Sequence, residues 1–330
     1  MAKIHRLILN PPILNSSSFF SSSREQLKEL FGSVYTGGVT VRTATIGGFP
    51  EDTLSIHKHA IAPGNASINS YGYSPIPLSQ YLEWIREFLA DSSTSTKPFI
   101  ISIAPASTEE LSETLKLIQT LRKDLKDNES DFSRIGIELN TSCPNITGHA
   151  PPAYSPEALK PLLQVLKESY AEDPTLTIGL KLAPFVHAGQ FKGVVDLLGS
   201  ISSEGEQGTK SNCISFLSCT NTLGSSVLFT EQTISPEAEA SSVFAVPTVT
   251  GGLAGEPIHA LALGNVYSFK KLLSEHPDPS LQRIVLIGIG GVSSKEAVKR
   301  MRRVGASVVE CATALGIHGV GIFKELNEGL

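Results

Sequence analysis

The chain has 330 residues, 41% of them apolar and 18% charged, with a net charge of −5. That balance supports a large buried core and excludes a disordered chain, while the lack of a basic excess argues against a nucleic-acid surface. No apolar run reaches the roughly 18 residues that span a bilayer, which excludes a membrane-embedded protein.

The cysteines Cys143, Cys213, Cys219 and Cys311 show no metal-ligand spacing. All four sit in or beside apolar runs, as reduced thiols of a cytosolic protein do. The start, Met1 to Ser23, is serine-rich and lacks acids, but Pro11 and Pro12 interrupt any amphipathic helix, so it reads as the beginning of the folded domain.

Taken in order, Ile4 to Ile13 reads as a short strand and turn, and Glu25 to Phe31 as a brief helix. Gly38 to Thr45 is a β-branched strand, and a Gly- and Pro-bearing loop leads from it to Ser67-Ile-Asn-Ser-Tyr-Gly-Tyr73. Pro98 to Ile103 is an apolar strand, followed by a helix from Ser107 to Asp127 opened by a Ser107–Glu110 capping box. Ile135 starts another strand, which Pro144 terminates. A helix over Pro156 to Tyr170, a strand over Thr177 to Leu182 and a helix over Gln190 to Ile201 come next, then a strand from Cys213 to Thr220. Residues 225–250 form the longest irregular stretch, an excursion over one end of the fold. Pro257 to Leu273 is helical, and Arg283 to Ile289 is a strand leading into Gly290-Gly291. Ser293 with Glu296 caps the next helix, whose cluster of Lys299, Arg300, Arg302 and Arg303 reads as a solvated face. Ser307 to Cys311 is the last strand, before a closing helix.

Fully apolar strands alternating with helices imply a parallel sheet covered by helices. Eight such strands in one run favour a closed (β/α)8 barrel, an α/β fold with residues 1–330 as a single domain. In such barrels the strand C-termini carry the chemistry. Here those ends offer Arg42, Asn69, Asn140 with Cys143 and Asn145, Lys181, Asn221 with Thr222, Gly290 with Gly291, and Ala312 with Thr313. The last two groups expose backbone N–H groups that suit a phosphate. Lys181, inside an apolar run, is costly unless it faces negative charge, a lysine snorkelling at the rim being the alternative. The asparagines suit a flat, neutral heterocycle with amide-like edges. Asn-Thr-Ser-Cys-Pro-Asn is by itself as consistent with a capped turn as with an active-site edge.

Several motifs in the right order resemble dihydroorotate dehydrogenase of the soluble class 1A type. They are Asn10-Pro-Pro-Ile-Leu-Asn-Ser-Ser, Ser67-Ile-Asn-Ser-Tyr-Gly, Glu138-Leu-Asn-Thr-Ser-Cys-Pro-Asn, Gly179-Leu-Lys-Leu-Ala-Pro, Asn221-Thr-Leu-Gly, Gly251-Gly-Leu-Ala-Gly, Ile287-Gly-Ile-Gly-Gly and Ala312-Thr-Ala-Leu. Cysteine at 143 and Ala153-Tyr154 separate it from the membrane-bound and iron–sulfur-partnered classes. The resemblance implies FMN, with its phosphate at Gly290, Gly291, Ala312 and Thr313 and further cofactor contacts from Ser16, Ser17, Arg42, Thr43, Asn140, Lys181, Thr220 and Gly252. It implies Cys143 as the base that takes a proton from dihydroorotate, and Lys181 beside the flavin. Arg42, Asn69, Tyr71, Gly72, Tyr73, Asn140, Asn145, Asn221 and Thr222 would bind the substrate, which leaves as orotate. Fumarate, released as succinate, would be the acceptor, and the protein would be a cytoplasmic homodimer with no membrane or nucleic-acid partner. Three departures stand out. Arg42 replaces a lysine, Ser18 and Ala312 replace glycines, and Tyr71 and Tyr73 replace smaller residues. These leave open a related flavoprotein with another substrate, a phosphate-binding isomerase or lyase, and a non-catalytic barrel.

Overall fold

The computed structural model describes residues 1–91, 95–146, 151–204, 209–234 and 242–330. Eight parallel strands form one sheet: β1 (Ile13–Asn15), β2 (Val39–Thr40), β3 (Phe99–Ile103), β4 (Ile135–Asn140), β5 (Thr177–Leu182), β6 (Ile214–Cys219), β7 (Val285–Ile289) and β8 (Val308–Cys311). Their spatial order is β1-β8-β7-β6-β5-β4-β3-β2, so each strand lies beside its sequence neighbour and the two ends of the sheet meet. That is the (β/α)8 barrel expected from the alternating pattern.

The seam between β1 and β2 is closed largely by a side chain. The Asn15 carboxamide donates to the Thr40 carbonyl at 2.6 Å and accepts from the Thr40 N–H at 3.2 Å, standing in for a ladder pair. The Gly37 N–H completes the seam on the Ile13 carbonyl at 2.8 Å.

The barrel interior is layered. At its base an antiparallel hairpin, Ala2–Ile4 with Leu7–Leu9, inserts Ile4, Leu7 and Leu9 among Leu14, Ile100, Phe216 and Val308. Gly179 leaves the room that the Phe216 ring fills, since a Cβ there would meet the ring at 2.2 Å. Above this apolar plug lies a polar layer of Thr40, Ser102, Glu138, Ser218 and Glu310, all fully buried. Outside, the helices pack their apolar faces on the strands; in Thr108–Asp124 these are Leu111, Leu115, Ile118 and Leu121. On the base side, fully buried Arg122 is neutralised by Asp127 at 3.0 Å and Asp173 at 2.5 Å, ahead of β4 and β5.

Most expected elements stand, with ends moved by a residue or two. The strand expected over Gly38 to Thr45 is regular only at Val39–Thr40, and rejoins β3 through an isolated bridge at Ala44. The Ser107 hydroxyl caps the Glu110 N–H at 3.2 Å, but Glu110 reaches back to the Ala106 N–H rather than to Ser107, so the box is open by one residue. The cap expected at Ser293 is a correction: Ser294 accepts from the Ala297 N–H at 3.3 Å, while Ser293 donates to Glu256.

Two features lie beyond the expectations. Helix Leu78–Asp91 buries Leu78, Tyr81, Leu82, Ile85, Phe88 and Leu89. A four-stranded antiparallel sheet, in the order Leu223–Ser226, Gly251–Gly255, Ala66–Asn69, His59–Ala62, stands at the C-terminal end of the barrel. It brackets the stretch expected to be irregular, which in its described part also holds the short helix Thr230–Gln232; residues 235–241 lie outside the described residues.

Replacing Asn15 by alanine would strand both polar groups of Thr40 inside the barrel wall. We expect a loss of about 2–6 kcal/mol of unfolding free energy, at roughly 1–3 kcal/mol per orphaned group. Urea denaturation monitored by far-UV circular dichroism measures it.

Candidate active site

A cleft open to solvent, with a cavity volume of about 160 Å³, occupies the C-terminal mouth of the barrel. Its walls gather nearly every residue singled out from the sequence. Ser16 and Ser17 follow β1, Arg42 and Thr43 follow β2, and Asn140, Cys143 and Asn145 end β4. Lys181 comes from β5, Thr220 to Thr222 from the end of β6, Gly290 and Gly291 from β7, and Ala312 and Thr313 from β8. The added sheet contributes Asn69 and, just beyond it, Tyr71, Gly72 and Tyr73. Gly252 is the exception. It stands behind the wall, where a Cβ would strike the Thr222 hydroxyl at 2.3 Å, and its carbonyl accepts from Asn69 at 3.3 Å.

Register sets the centre of the site. Asn140 pairs with Lys181 across β4 and β5, and Lys181 with Ser218 across β5 and β6, so these side chains share one row facing the barrel axis. A hydrogen-bonded chain then ties the asparagines together: Asn221 donates to the Asn140 oxygen at 3.0 Å, and Asn140 to the Thr43 hydroxyl at 3.0 Å. From Thr43 the chain runs to Ser17 at 3.0 Å and down through Ser102, at 3.0 Å, to Glu138. Asn145 holds the sheet to the β4 loop by donating to the Asn69 side chain at 3.1 Å and the Tyr71 carbonyl at 2.7 Å. Amides fixed in this way keep little orientational freedom to lose when a ligand binds.

Cys143 has protein on most sides of its thiol. Burial raises its pKa, against which the Asn145 N–H and the positive charges of Arg42 and Lys181 pull downward. Lys181 is buried and donates to the Ser16 hydroxyl at 2.5 Å. Beneath it, Glu138 accepts from Ser218 at 2.6 Å and from Ser102 at 3.3 Å. Glu310 accepts a long 3.4 Å bond from Thr40 at one oxygen, and its other oxygen has no hydrogen-bond partner among the described residues. Burial and the neighbouring Glu138 push the Glu310 pKa well above the usual glutamate range, only partly countered by Lys181.

At the β7–β8 side, Gly290 and Gly291 have φ values of 122° and 66°, a left-handed turn in which side chains are strained. His259 braces this turn: Arg300 donates to its Nε2 at 3.0 Å, which leaves Nδ1 as the donor to the Gly290 carbonyl at 2.8 Å. The basic face expected to be merely solvated therefore lends one residue to the site. Ser67, on the added sheet, pins Thr313 through a 2.8 Å hydroxyl pair. Ser18 and Ala312 have φ values of −162° and −128°, outside the left-handed region that favours glycine.

The donor set fits a flavin phosphate and ring. The glycine turn, the Thr313 hydroxyl and the Lys181 ammonium face one cleft, and the buried hydroxyls of Thr220 and Ser18 have no partner among the described residues. His259 and Glu310 were not legible as site residues: each is recruited across the fold, and no local motif marks it as such.

Comparison with known proteins bears on the family of the chain. A family model described as "Dihydroorotate dehydrogenase" matches residues 1–330. The "Dihydroorotate dehydrogenase (fumarate)" of Lachancea kluyveri is 28% identical over 321 residues, covering 97% of this chain and 88% of that protein. The enzyme of the same name from Trypanosoma cruzi is 27% identical, covering 97% and 88%. The "Dihydroorotate dehydrogenase A (fumarate)" of Lactococcus lactis subsp. cremoris is 29% identical, covering 96% and 89%.

Glu310 makes a stability prediction. With its folded pKa above the unfolded value, the folded state holds the extra proton, so stability is fullest below the ordinary glutamate range and declines as pH rises toward the folded pKa. The slope is at most about 1.4 kcal/mol per pH unit. Glu310→Gln, which keeps the shape without the titration, is expected to flatten the decline between about pH 5 and pH 8, as read by urea unfolding at each pH.

Proposed function

The chain belongs to the dihydroorotate dehydrogenase family, and on that premise we propose that it oxidises dihydroorotate to orotate with FMN as its flavin and fumarate as the final acceptor. The observation that carries this reading is the convergence of Cys143, Lys181 and the asparagines 69, 140, 145 and 221 on one cleft at the barrel mouth. A barrel kept only for structure has no need of a thiol and a buried ammonium in the same cavity.

FMN, when bound, supplies the hydride acceptor. Ser16, Ser17, Thr43, Thr220, Gly290, Gly291, Ala312 and Thr313 are the groups proposed to hold it, with Arg42, Asn140 and Lys181 at its ring; Gly252 supports Thr222 from behind. The asparagines and Thr222 read the imide edge of the pyrimidine and fix its orientation. Cys143, as thiolate, takes the proton from C5 while the hydride leaves C6, so the ring gains its double bond and the thiol carries the proton away. Lys181 provides positive charge where negative charge accumulates in the transition state. The loop 71–73 closes the substrate side: Tyr71 stacks on Phe19 at 4.6 Å, and Gly72 admits the Phe49 ring, which a Cβ would meet at 2.5 Å.

The reading takes residues 1–330 as one flavin-binding unit that works as a homodimer in the cytoplasm, as the class 1A resemblance implies. Among the described residues no helix is long and apolar enough to cross a membrane.

The test is anaerobic addition of dihydroorotate to the FMN-loaded protein. Bleaching of the visible flavin band is expected, slowed by roughly 10²–10⁴-fold in Cys143→Ala. A yellow protein that dihydroorotate does not bleach would refute the substrate assignment, and one that takes up no FMN would refute the oxidoreductase.

The acid–base prediction follows from the raised Cys143 pKa. Below that pKa the base is a protonated thiol, so the reduction rate should climb about tenfold per pH unit and keep climbing beyond the ordinary cysteine range. In Cys143→Ser the rate should fall and show no plateau at accessible pH. Stopped-flow absorbance across a pH series measures both.

A further inference from the structure

Arg42 stands at the substrate side of the cleft, where a cation would be expected to receive a ligand's carboxylate. Its guanidinium is already engaged. Its Nη2 forms an ion pair with Glu51 and also donates to the Tyr73 carbonyl at 3.1 Å and the Gly72 carbonyl at 3.4 Å, and its Nη1 reaches Ser22 at 3.5 Å. Its central carbon lies 5.2 Å from the Tyr71 ring and 5.6 Å from Phe19. Both side chains of the pair are buried, 4% exposed for Arg42 and 9% for Glu51. The other permanent cation of the cleft wall, Lys181, is committed to Ser16 and lies over Glu310. A ligand carboxylate that took Arg42 would leave Glu51 buried and uncompensated, which opposes the exchange.

We propose that Glu51 is a specificity-determining residue: by holding the Arg42 guanidinium it withholds that cation from the ligand's carboxylate. The cleft then selects a neutral 5,6-dihydropyrimidine ring by its imide edge, and tolerates the ring with or without a carboxylate. This rests on the dehydrogenase reading and refines its substrate class.

The measurement is the perturbation of flavin absorbance when FMN-loaded protein is titrated with orotate and, separately, with uracil, the ring lacking the carboxylate. In the native protein the two are expected to bind within about tenfold of each other. Glu51→Gln frees Arg42 and should raise the orotate-to-uracil affinity ratio by about 10- to 100-fold, the worth of a charge-assisted bond. Combining it with Arg42→Met should erase that gain, which assigns the gain to this pair. Glu51→Asp, which keeps the charge but shortens its reach, should move the ratio the same way by less, and serves if Glu51→Gln folds poorly. A ratio that stays constant or falls in the Glu51 variants overturns the proposal, as does an equal gain for both rings. If neither ring perturbs the flavin, the dehydrogenase reading falls and this inference with it.

Discussion

Closure of the barrel at the β1–β2 seam is the constraint on which the site depends. The candidate groups follow different strands and lie far apart in sequence, so only a closed sheet aims them at one cleft. Because parallel strands all end on the same side, closure alone delivers seven sets of strand-end residues to the mouth. The seam is short of backbone pairing, since β2 is regular over only Val39–Thr40, and the Asn15 amide supplies what the ladder lacks. The same short strand frees the chain after Thr40 to turn Arg42 and Thr43 into the cleft.

Electrostatics sets the character of what lies below. Three acids, Glu51, Glu138 and Glu310, are packed around two cations, Arg42 and Lys181, within or beside the cleft. Full ionisation of all five would leave excess negative charge in a medium that solvates it poorly. The protein resolves this unevenly: Glu51 is matched to Arg42, Glu138 is satisfied by two serine hydroxyls, and the Glu310 pKa is pushed up. Little positive charge remains unmatched on the substrate side, and recognition falls to neutral amides.

The departures from the family pattern divide on physical grounds. Ser18 and Ala312 lie outside the left-handed region that favours glycine, so they change the wall without that strain. Arg42 is different, because a longer, branched cation needed a counter-charge and found one in Glu51. Tyr71 and Tyr73 belong to the same adjustment. Tyr71 stacks on Phe19 beneath the guanidinium, and Tyr73 packs edge-on against Phe49 at 5.5 Å.

The strands from Phe99 to Cys311 were legible because buried parallel strands are continuous apolar runs, and their ends could be read because polar residues interrupt those runs. Asn140, Cys143, Lys181 and Asn221 were therefore visible before any fold was known. Helix Leu78–Asp91 carries its apolar residues at a helical period, at Leu78, Tyr81, Leu82, Ile85, Phe88 and Leu89. The antiparallel sheet at the barrel mouth had no such signal: its strands are short, rich in small residues, and pair Ala66–Asn69 with Gly251–Gly255 across most of the chain. The pairing of Arg42 with Glu51, the raised pKa of Glu310 and the brace from Arg300 through His259 to Gly290 belong to the tertiary structure alone. Each depends on distance and burial between elements, and a sequence specifies which groups exist but not which of them will share a dry interior.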